Sequence, residues 1–336
     1  MNSLNKEDIV NRISDLRDNR NIKRTFNKVI SFVISVFRIL FLVSMGYIIL
    51  FPVFSAFSAA IKTEAAAFDA FLYWLPRDTT FDNFKMAWDV LDLPNTFFRT
   101  LSLNVVSAII EVGACAITAY GFARFNFKLK KPLQFLLILS ILIPTQFYIV
   151  SMVVNFKHLD VLGILGLIDT LTGLDLRPNV LNTNLTFYLP SLLGVGLRSG
   201  ILIYIYQQFF MGLPKELEEA AWIDGAGPIK TFLQIAVPSS TVVILVVTVF
   251  SLIWHYNDYY LSVMFFDGDY PVAVQLAQLP SMMASYAASL GINISTATKN
   301  SIIMAACLIF ITPMLLFYLC IQNKFVESID RVGITG

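Results

Sequence analysis

Six long apolar blocks constrain the fold of this 336-residue chain more than any other feature. A helix needs about 20 apolar residues to cross the hydrocarbon core of a bilayer, and every block is at least that long. Backbone groups inside a bilayer must satisfy their own hydrogen bonds, which favours helices. The sequence therefore predicts an all-α polytopic membrane protein with six transmembrane helices. The predicted spans are 29–61, 100–123, 133–154, 187–211, 239–265 and 300–321.

The composition excludes several classes of protein. Hydrophobic residues make up 57% of the chain and charged residues 14%, which is outside the usual range of a soluble domain. A net charge of +1 offers no basic surface for nucleic acid. The two histidines and the scattered Cys115, Cys307 and Cys320 predict neither a metal site nor a disulfide framework. No catalytic constellation stands out, so we expect no enzyme activity and no cofactor bound by this chain.

The distribution of Lys and Arg predicts how the chain is oriented. The terminal segments and every second connection carry 15 of these residues, whereas the intervening connections carry 7 although they are longer. The positive-inside rule then places both termini and residues 212–238 in the cytoplasm. The predicted divisions are a cytoplasmic amino-terminal segment 1–28, a transmembrane domain 29–322 and a cytoplasmic tail 323–336.

A polar stretch between the fourth and fifth blocks, here called the connecting segment (residues 212–238), is the most informative part of the chain. Pro214 predicts the start of a helix, Gly225 a break, Pro228 the start of a second helix and Pro238 its end. Acidic residues near the first helix start complement the helix dipole: Glu216, Glu218 and Glu219. Small and apolar residues could fill a groove on another protein: Ala220, Ala221, Ile229, Phe232 and Ile235.

The order and spacing of these residues resemble the EAA loop in permease subunits of ABC importers. The matching positions are Glu219, Ala220, Ala221, Asp224, Gly225, Ala226, Ile235 and Pro238. The sequence of residues 213–226 resembles most the carbohydrate branch of these permeases, which includes proteins similar to the smaller membrane subunit of the maltose transporter. The similarity covers roughly residues 95–336, including the tail from Phe325, whereas residues 173–186 look like an insertion.

This resemblance implies a type I importer transmembrane domain in the plasma membrane of a bacterium. It also implies a second, homologous permease subunit, a cytoplasmic ATPase dimer that binds ATP-Mg, and an extracellular solute-binding protein that delivers a sugar or oligosaccharide. The eight matching positions would then form the contact with the ATPase. The chain has no phosphate-binding GxxxxGK[ST] motif, so the energy source must lie in another chain.

Two charged residues fall inside predicted spans. Glu111 and Arg198 lie at similar depths in the second and fourth blocks, and a buried arginine needs an acceptor, so we expect them to form an intramembrane ion pair. A carboxyl that lines a water-filled path is the alternative for Glu111.

Two stretches are candidates for the solute path. Gly194, Gly196 and Gly200 surround Arg198 and predict an unwound fourth span, although close helix packing through small residues is an equally good interpretation. In the fifth block, aromatic rings could stack on a sugar and polar groups could bind its hydroxyls. The candidates there are Trp254, Tyr256, Asn257 and Asp258, with an interfacial aromatic belt as the alternative.

Other functions remain possible from the sequence alone. An ABC permease for a polyamine or an amino acid would share the connecting segment. A secondary transporter would use Glu111 as its ion site but would leave the connecting segment without a role. A membrane scaffold would need neither Glu111 nor Arg198.

Overall fold

A computed structural model of the chain describes residues 6–68, 76, 78–160 and 163–333, with side chains between residues 26 and 323. Helices dominate these residues. Within the described ranges there is no β-strand, and the only bridge pairs Lys62 with Thr79. The prediction of an all-α fold is confirmed.

The helices follow one another along the chain with short connections. The first half contains α1 (Lys6–Ala60), α2 (Glu64–Ala67), α3 (Asp82–Val90), α4 (Leu93–Arg124), α5 (Lys130–Leu142), a 3₁₀ turn (Thr145–Phe147), α6 (Ile149–Lys157) and α7 (Ile164–Thr172). The second half contains α8 (Leu185–Leu192), α9 (Ser199–Gly212), α10 (Glu216–Ile223), α11 (Pro228–Thr231), a π-helix (Phe232–Ala236), α12 (Val237–Ser239), α13 (Thr241–Tyr256), α14 (Tyr260–Phe265), α15 (Val272–Leu290) and α16 (Thr296–Gly333).

Three helices of the described chain are long and apolar enough to cross a membrane without a break. They are α1 from Phe26 to Ala60, α4, and α16 from Thr296 to Asn323. The stretch Pro228–Ser239 and helix α13 form a fourth candidate, bent by 81°. The remaining predicted spans, 133–154 and 187–211, are each divided between two shorter helices. The helices of the described residues therefore do not by themselves establish the predicted count of six spans.

Proline and glycine explain the interruptions. The chain becomes extended at Ile143, because the residue before a proline is disfavoured in the helical region. Between α8 and α9, Gly194 has a φ of 69° and Arg198 a φ of 59°, so the helix cannot continue through residues 193–198. The unwound stretch predicted in the fourth block is confirmed.

Helix α4 is the central element of the bundle and packs against α8, α9 and α13. The core between α4, α9 and α13 contains Cys115, Ala119, Tyr120, Leu202, Tyr206, Phe210 and Val247. A second core lies where α16 meets α1, α3 and α15, and contains Ala60, Leu91, Leu279, Met283 and Ile302. A third core, of Leu103, Phe156, Phe187 and Phe265, closes the end of the bundle away from the connecting segment.

The terminal helices extend beyond the predicted spans. Helix α1 is continuous from Lys6, so most of the predicted amino-terminal segment is helical, and residues 1–5 lie outside the described residues. Helix α16 continues to Gly333 into the predicted tail, of which 334–336 lie outside the described residues, as do the side chains from residue 324 onward. Between Phe26 and Ala60, α1 exposes apolar side chains such as Phe32, Phe37 and Leu40, as expected of a helix that faces lipid.

Candidate functional site

The connecting segment forms two short helical pieces joined by a tight turn, as the sequence predicts. Its first helix, α10, begins at Glu216 rather than at Pro214. The reason is the carbonyl of Lys215, which accepts the backbone N–H groups of both Glu218 and Glu219 at 3.0 Å and so opens the helix.

Gly225 ends α10 in a left-handed conformation with a φ of 83°. The N–H of Gly225 bonds to the carbonyl of Trp222 at 3.0 Å, and the N–H of Ala226 bonds to the carbonyl of Ala221 at 2.9 Å. This pair of bonds is the Schellman motif, in which the left-handed position strongly favours glycine. The turn between the two helical pieces therefore depends on Gly225.

The second helical piece ends at Ser239, one residue beyond the end predicted at Pro238. Proline lacks an N–H and its ring crowds the carbonyl four residues before it. The backbone responds with a π-helix over Phe232–Ala236, in which the N–H of Val237 bonds to the carbonyl of Phe232. The helix continues to Ser239, and the chain bends at Ser240 into α13.

A buried ion pair attaches the connecting segment to the bundle. Arg124, the last residue of α4, donates from Nε to Glu218 Oε1 at 2.8 Å and from its terminal nitrogen to the carbonyl of Leu213 at 2.9 Å. Both charged side chains are only 5% exposed. Phe232 adds an apolar contact, with its ring 5.0 Å from that of Tyr120.

Sequence reasoning missed the role of Glu218, which was assigned only to the helix dipole. Its partner Arg124 ends the run Ala119–Arg124, which lies within the range 95–336 over which the sequence resembles sugar permeases. That run and the connecting segment are connected in space by this ion pair, which no sequence spacing encodes.

The face of the connecting segment away from the bundle is apolar and exposed. Ile223 is 87% exposed, Ile229 76% and Leu233 57%. A shallow groove of about 460 Å³ runs between Pro228 and Gln234. Of the eight positions that resemble the EAA loop, five are exposed and three half-buried: exposed are Glu219, Ala220, Asp224, Gly225 and Pro238, and half-buried are Ala221, Ala226 and Ile235. The connecting segment is attached to the bundle on one face and exposes apolar side chains on the other. Such a surface is suited to dock on a partner protein.

The predicted ion pair between Glu111 and Arg198 does not form. Glu111 is fully buried, and its two oxygens accept hydrogen bonds of 2.6 Å from the hydroxyls of Ser199 and Ser251. His255 Nδ1 lies 3.6 Å from Glu111 Oε2 and donates to the carbonyl of Ser251 at 2.9 Å. The structure thus places one of the two histidines of the chain beside this carboxyl.

Backbone geometry explains why Arg198 turns away. It is the residue immediately before α9 and adopts a φ of 59°, which directs it differently from a helical residue at the same depth. Ser199, the next residue, reaches Glu111 instead. The guanidinium of Arg198 lies over the ring of Trp254, 5.1 Å from its centroid. The prediction that Glu111 pairs with Arg198 was therefore wrong, because it depended only on their similar depth in the membrane.

Two adjoining cavities border the interrupted fourth span. Their volumes are about 270 and 500 Å³, and both are lined by Ser140, Tyr148, Arg198 and Gly200. Gly194 and Gly196 line the larger cavity only. The interruption thus places Arg198 on the wall of an open space between α5 and α9.

The glycines of the fourth block have different roles. A Cβ on Gly200 would lie 2.7 Å from Ser140 Oγ and 3.1 Å from Ile141 Cγ1, so Gly200 permits close packing of α9 on α5. A Cβ on Gly196 would lie 2.8 Å from Glu111 Oε1 and 3.0 Å from Ser191 Cα. Gly194 supplies the left-handed backbone. Both interpretations of these glycines therefore apply: Gly194 allows the unwound stretch, and Gly200 allows close helix packing.

The candidates in the fifth block separate into two groups. Tyr256 is buried, donates to the carbonyl of Phe310 at 2.8 Å and stacks on that ring, so it joins α13 to α16. Asp258 accepts the N–H and the hydroxyl of Ser262 at 2.8 and 3.0 Å and caps α14. The assignment of Tyr256 and Asp258 to a sugar site is corrected by these contacts. Asn257 is exposed and Trp254, under Arg198, is half-buried.

The predicted insertion 173–186 is tied to the third core. The N–H of Val180 bonds to the carbonyl of Phe156 at 2.9 Å, and Val180 is buried. Arg177 bridges Asp169 at 2.9 Å and Asp175 at 2.7 Å. Hydrogen bonds from Arg177 lower the pKa of Asp175 to about 2.

The described residues contain no group of three or more His, Cys, Asp or Glu side chains suited to holding a metal ion. The three cysteines are free thiols that differ in exposure: Cys115 is buried, Cys307 half-buried and Cys320 exposed.

Comparison with known proteins is consistent with this arrangement. Residues 112–331 match the family described as binding-protein-dependent transport system inner membrane component. The chain is 28% identical over 288 residues to the sn-glycerol-3-phosphate transport system permease protein UgpE of Yersinia pestis bv. Antiqua, covering 84% of this chain and 91% of that one. It is 27% identical over 266 residues to the melibiose/raffinose/stachyose import permease protein MelC of Bacillus subtilis, covering 78% and 84%.

The fold is similar to that of a solved protein. One chain in the crystal structure of a bacterial ABC transporter involved in the import of the acidic polysaccharide alginate superimposes with a TM-score of 0.63. The alignment covers 87% of this chain and 96% of that chain at 18% identity.

Proposed function

Because the chain belongs to the family of binding-protein-dependent transport system inner membrane components, we propose that it forms half of the translocation path of an ATP-driven ABC importer. The family consists of transport subunits, so the chain itself is not an enzyme. Its solute is a sugar, an oligosaccharide or a related polyol, which the names of the glycerol-phosphate and melibiose permeases support.

The observation that carries this proposal is the construction of the connecting segment. Arg124 and Glu218 fix it to the end of α4, the central helix, while Ile223 and Ile229 remain exposed on its far face. A movement of a partner against that face is transmitted to α4 through a buried ion pair and through Phe232. This is the property required of a contact that couples an ATPase to a path inside the membrane.

The complete transporter has further parts in this proposal. A second, homologous permease supplies the other half of the path, two ATPase subunits bind ATP-Mg below it, and an extracellular binding protein delivers the solute. The chain crosses a bacterial plasma membrane six times, with the interrupted blocks as broken spans and with both termini and the connecting segment in the cytoplasm. The excess of Lys and Arg on that side supports this orientation.

Reconstitution tests the proposal. In proteoliposomes, this chain alone should hydrolyse no ATP and take up no sugar, because it has no phosphate-binding loop. The complete complex should hydrolyse ATP faster with loaded binding protein and should accumulate solute only when ATP is inside. ATP hydrolysis by the lone chain, or accumulation driven by an ion gradient without ATP, would refute it.

A further inference from the structure

Arg198 is an unpaired cation on the wall of the two cavities beside the interrupted fourth span. It is the only charged residue that lines either of them. Its side chain is exposed, and no carboxylate of the described residues lies within ion-pairing distance of it. Glu111, the acid that sequence position places at a similar depth, accepts hydrogen bonds from Ser199 and Ser251 instead.

The surroundings hold the guanidinium in place without neutralising it. The central carbon of the guanidinium lies over the ring of Trp254, 5.1 Å from its centroid, and Trp254 is itself stacked on Phe250 at 5.5 Å. A contact with a ring face supplies no carboxylate or carbonyl oxygen, so the N–H donors of the guanidinium remain available to a ligand. Arginine in this state binds carboxylate or phosphate oxygens in pairs, with a geometry that a lysine cannot reproduce.

The rest of the wall combines polar and apolar residues. The smaller cavity is lined by Arg198, by the polar residues Ser140, Thr145, Gln146 and Tyr148, and by apolar residues that include Ile141, Ile143 and Ile201. Polar groups for hydroxyls, apolar side chains for the faces of a sugar ring and a single cation together suit a sugar that carries one anionic group. A polar group that enters a membrane path without such partners costs several kcal/mol.

We propose that Arg198, supported by Trp254, makes this path selective for acidic sugars, meaning uronates or sugar phosphates, over neutral ones. This inference rests on the proposed transport function and adds the solute class to it. Arg198 is the specificity-determining residue and Trp254 a positioning residue.

The first test measures the charge of the cavity and does not depend on transport. Val195, which lines the larger cavity and is exposed, is replaced by Cys in a background without Cys307 and Cys320. In the assembled complex, the rates of reaction with negatively and positively charged methanethiosulfonates are compared. The anionic reagent should be favoured, and Arg198→Gln should lower the rate ratio at least fivefold.

A matched control removes a positive charge elsewhere. Arg99 is paired with Asp269 at 2.6 Å and lines neither cavity, so Arg99→Gln should leave the rate ratio unchanged. Arg198→Lys, which keeps the charge but not the planar fork, should retain most of the ratio and guards against a folding defect in the Gln variant. A rate ratio insensitive to Arg198→Gln, as when a carboxylate of the partner permease neutralises the arginine, would overturn the inference.

The second test measures selectivity in the complete transporter. Uptake of digalacturonate, glucose 6-phosphate and the neutral digalactose is compared in proteoliposomes loaded with ATP. An acidic probe should be preferred, and Arg198→Gln should lower the acidic-to-neutral uptake ratio at least tenfold while Arg99→Gln does not. Preference for digalactose with no effect of Arg198→Gln would overturn the inference but leave the importer intact. If the wild-type complex shows no ATP-dependent uptake of any solute, the proposed transport function is refuted. The reaction rates of the cysteine at position 195 would still show whether Arg198 makes the cavity positive.

Discussion

At the scale of single residues, Gly225 offers the clearest test of the connecting segment. Its φ of 83° lies in the left-handed region, whereas its neighbour Gly227 has a φ of −78°. A Cβ would meet nothing within 4 Å at either glycine. Gly225→Ala should therefore weaken the turn by about 1 kcal/mol through backbone strain alone, and Gly227→Ala should have little effect. ATPase binding and uptake by the two variants check this.

The pair of variants separates strain from contact. Both glycines are exposed on the same turn, so a loss of transport in both variants would indicate a steric contact with the partner. A fully active Gly225→Ala variant would contradict the role of the left-handed turn.

Glu111 provides a second prediction at this scale. Removing its carboxylate leaves the hydroxyls of Ser199 and Ser251 without their acceptor, at about 1–3 kcal/mol for each buried group. Glu111→Ala should therefore lower the melting temperature of the purified protein strongly. Glu111→Gln should lower it less, because the amide still accepts a hydrogen bond.

A double-mutant cycle then identifies the partner of Glu111. Glu111→Gln and Ser251→Ala should show a coupling energy above about 0.5 kcal/mol, because the two side chains touch. Glu111→Gln and Arg198→Gln should be additive. Coupling in the second cycle and additivity in the first would restore the ion pair that the sequence suggested.

These residues show what sequence reasoning can and cannot reach. Gly225 was predictable, because a break between two helices at a glycine has a local backbone cause. The partner of Glu111 was not, because it depends on how the backbone turns at Arg198 and on which face of α13 meets α4. Matching residues by membrane depth alone does not determine the direction of a side chain.

At the scale of elements, the interruption of the fourth block makes a further prediction. A Cβ on Gly196 would lie 2.8 Å from both Glu111 Oε1 and Ser191 Oγ, so Gly196→Ala should destabilise the fold by about 1–3 kcal/mol. Gly113, within α4, has open space around its Cβ, and Gly113→Ala should be neutral or stabilise by up to about 1 kcal/mol. Melting temperatures of the two variants check this.

One result would contradict the predicted difference in stability between the two glycine variants. Equal melting temperatures for the Gly113 and Gly196 variants would show that the segment 193–198 moves freely to accept a methyl group. The contacts of Gly196 with Glu111 and Ser191 would then not hold the segment in place.

Sequence reasoning located the elements and only some of the breaks between and within them. Apolar length located all six blocks, and helices occupy each of them. A helix end was predicted at Pro238 but not the bend of 81° that follows it, and the division of 133–154 near Pro144 was not predicted. A proline can kink, shift to π-helix or end a helix, and tertiary packing decides among these outcomes.

At the scale of the whole molecule, the connecting segment indicated the family from sequence because the resemblance lies in a short, contiguous run of residues. Ile223, Ile229 and Leu233 are exposed on the face away from the bundle, whereas Phe232 packs on Tyr120 within it. Selectivity for a solute was less accessible, because Arg198 and Trp254 come from different helices.

The central claim is that the connecting segment binds the ATPase, and the dissociation constant of that complex tests it most directly. It is measured with the purified membrane subunits for wild type and for the Ile223→Asp/Ile229→Asp variant. The variant should bind at least tenfold more weakly, about 1.4 kcal/mol, because it places two charges in an apolar contact. Leu171→Asp, which changes an equally exposed leucine on α7, serves as the control and should bind like wild type. An unchanged dissociation constant for the double variant, with the chain still folded, would contradict the account.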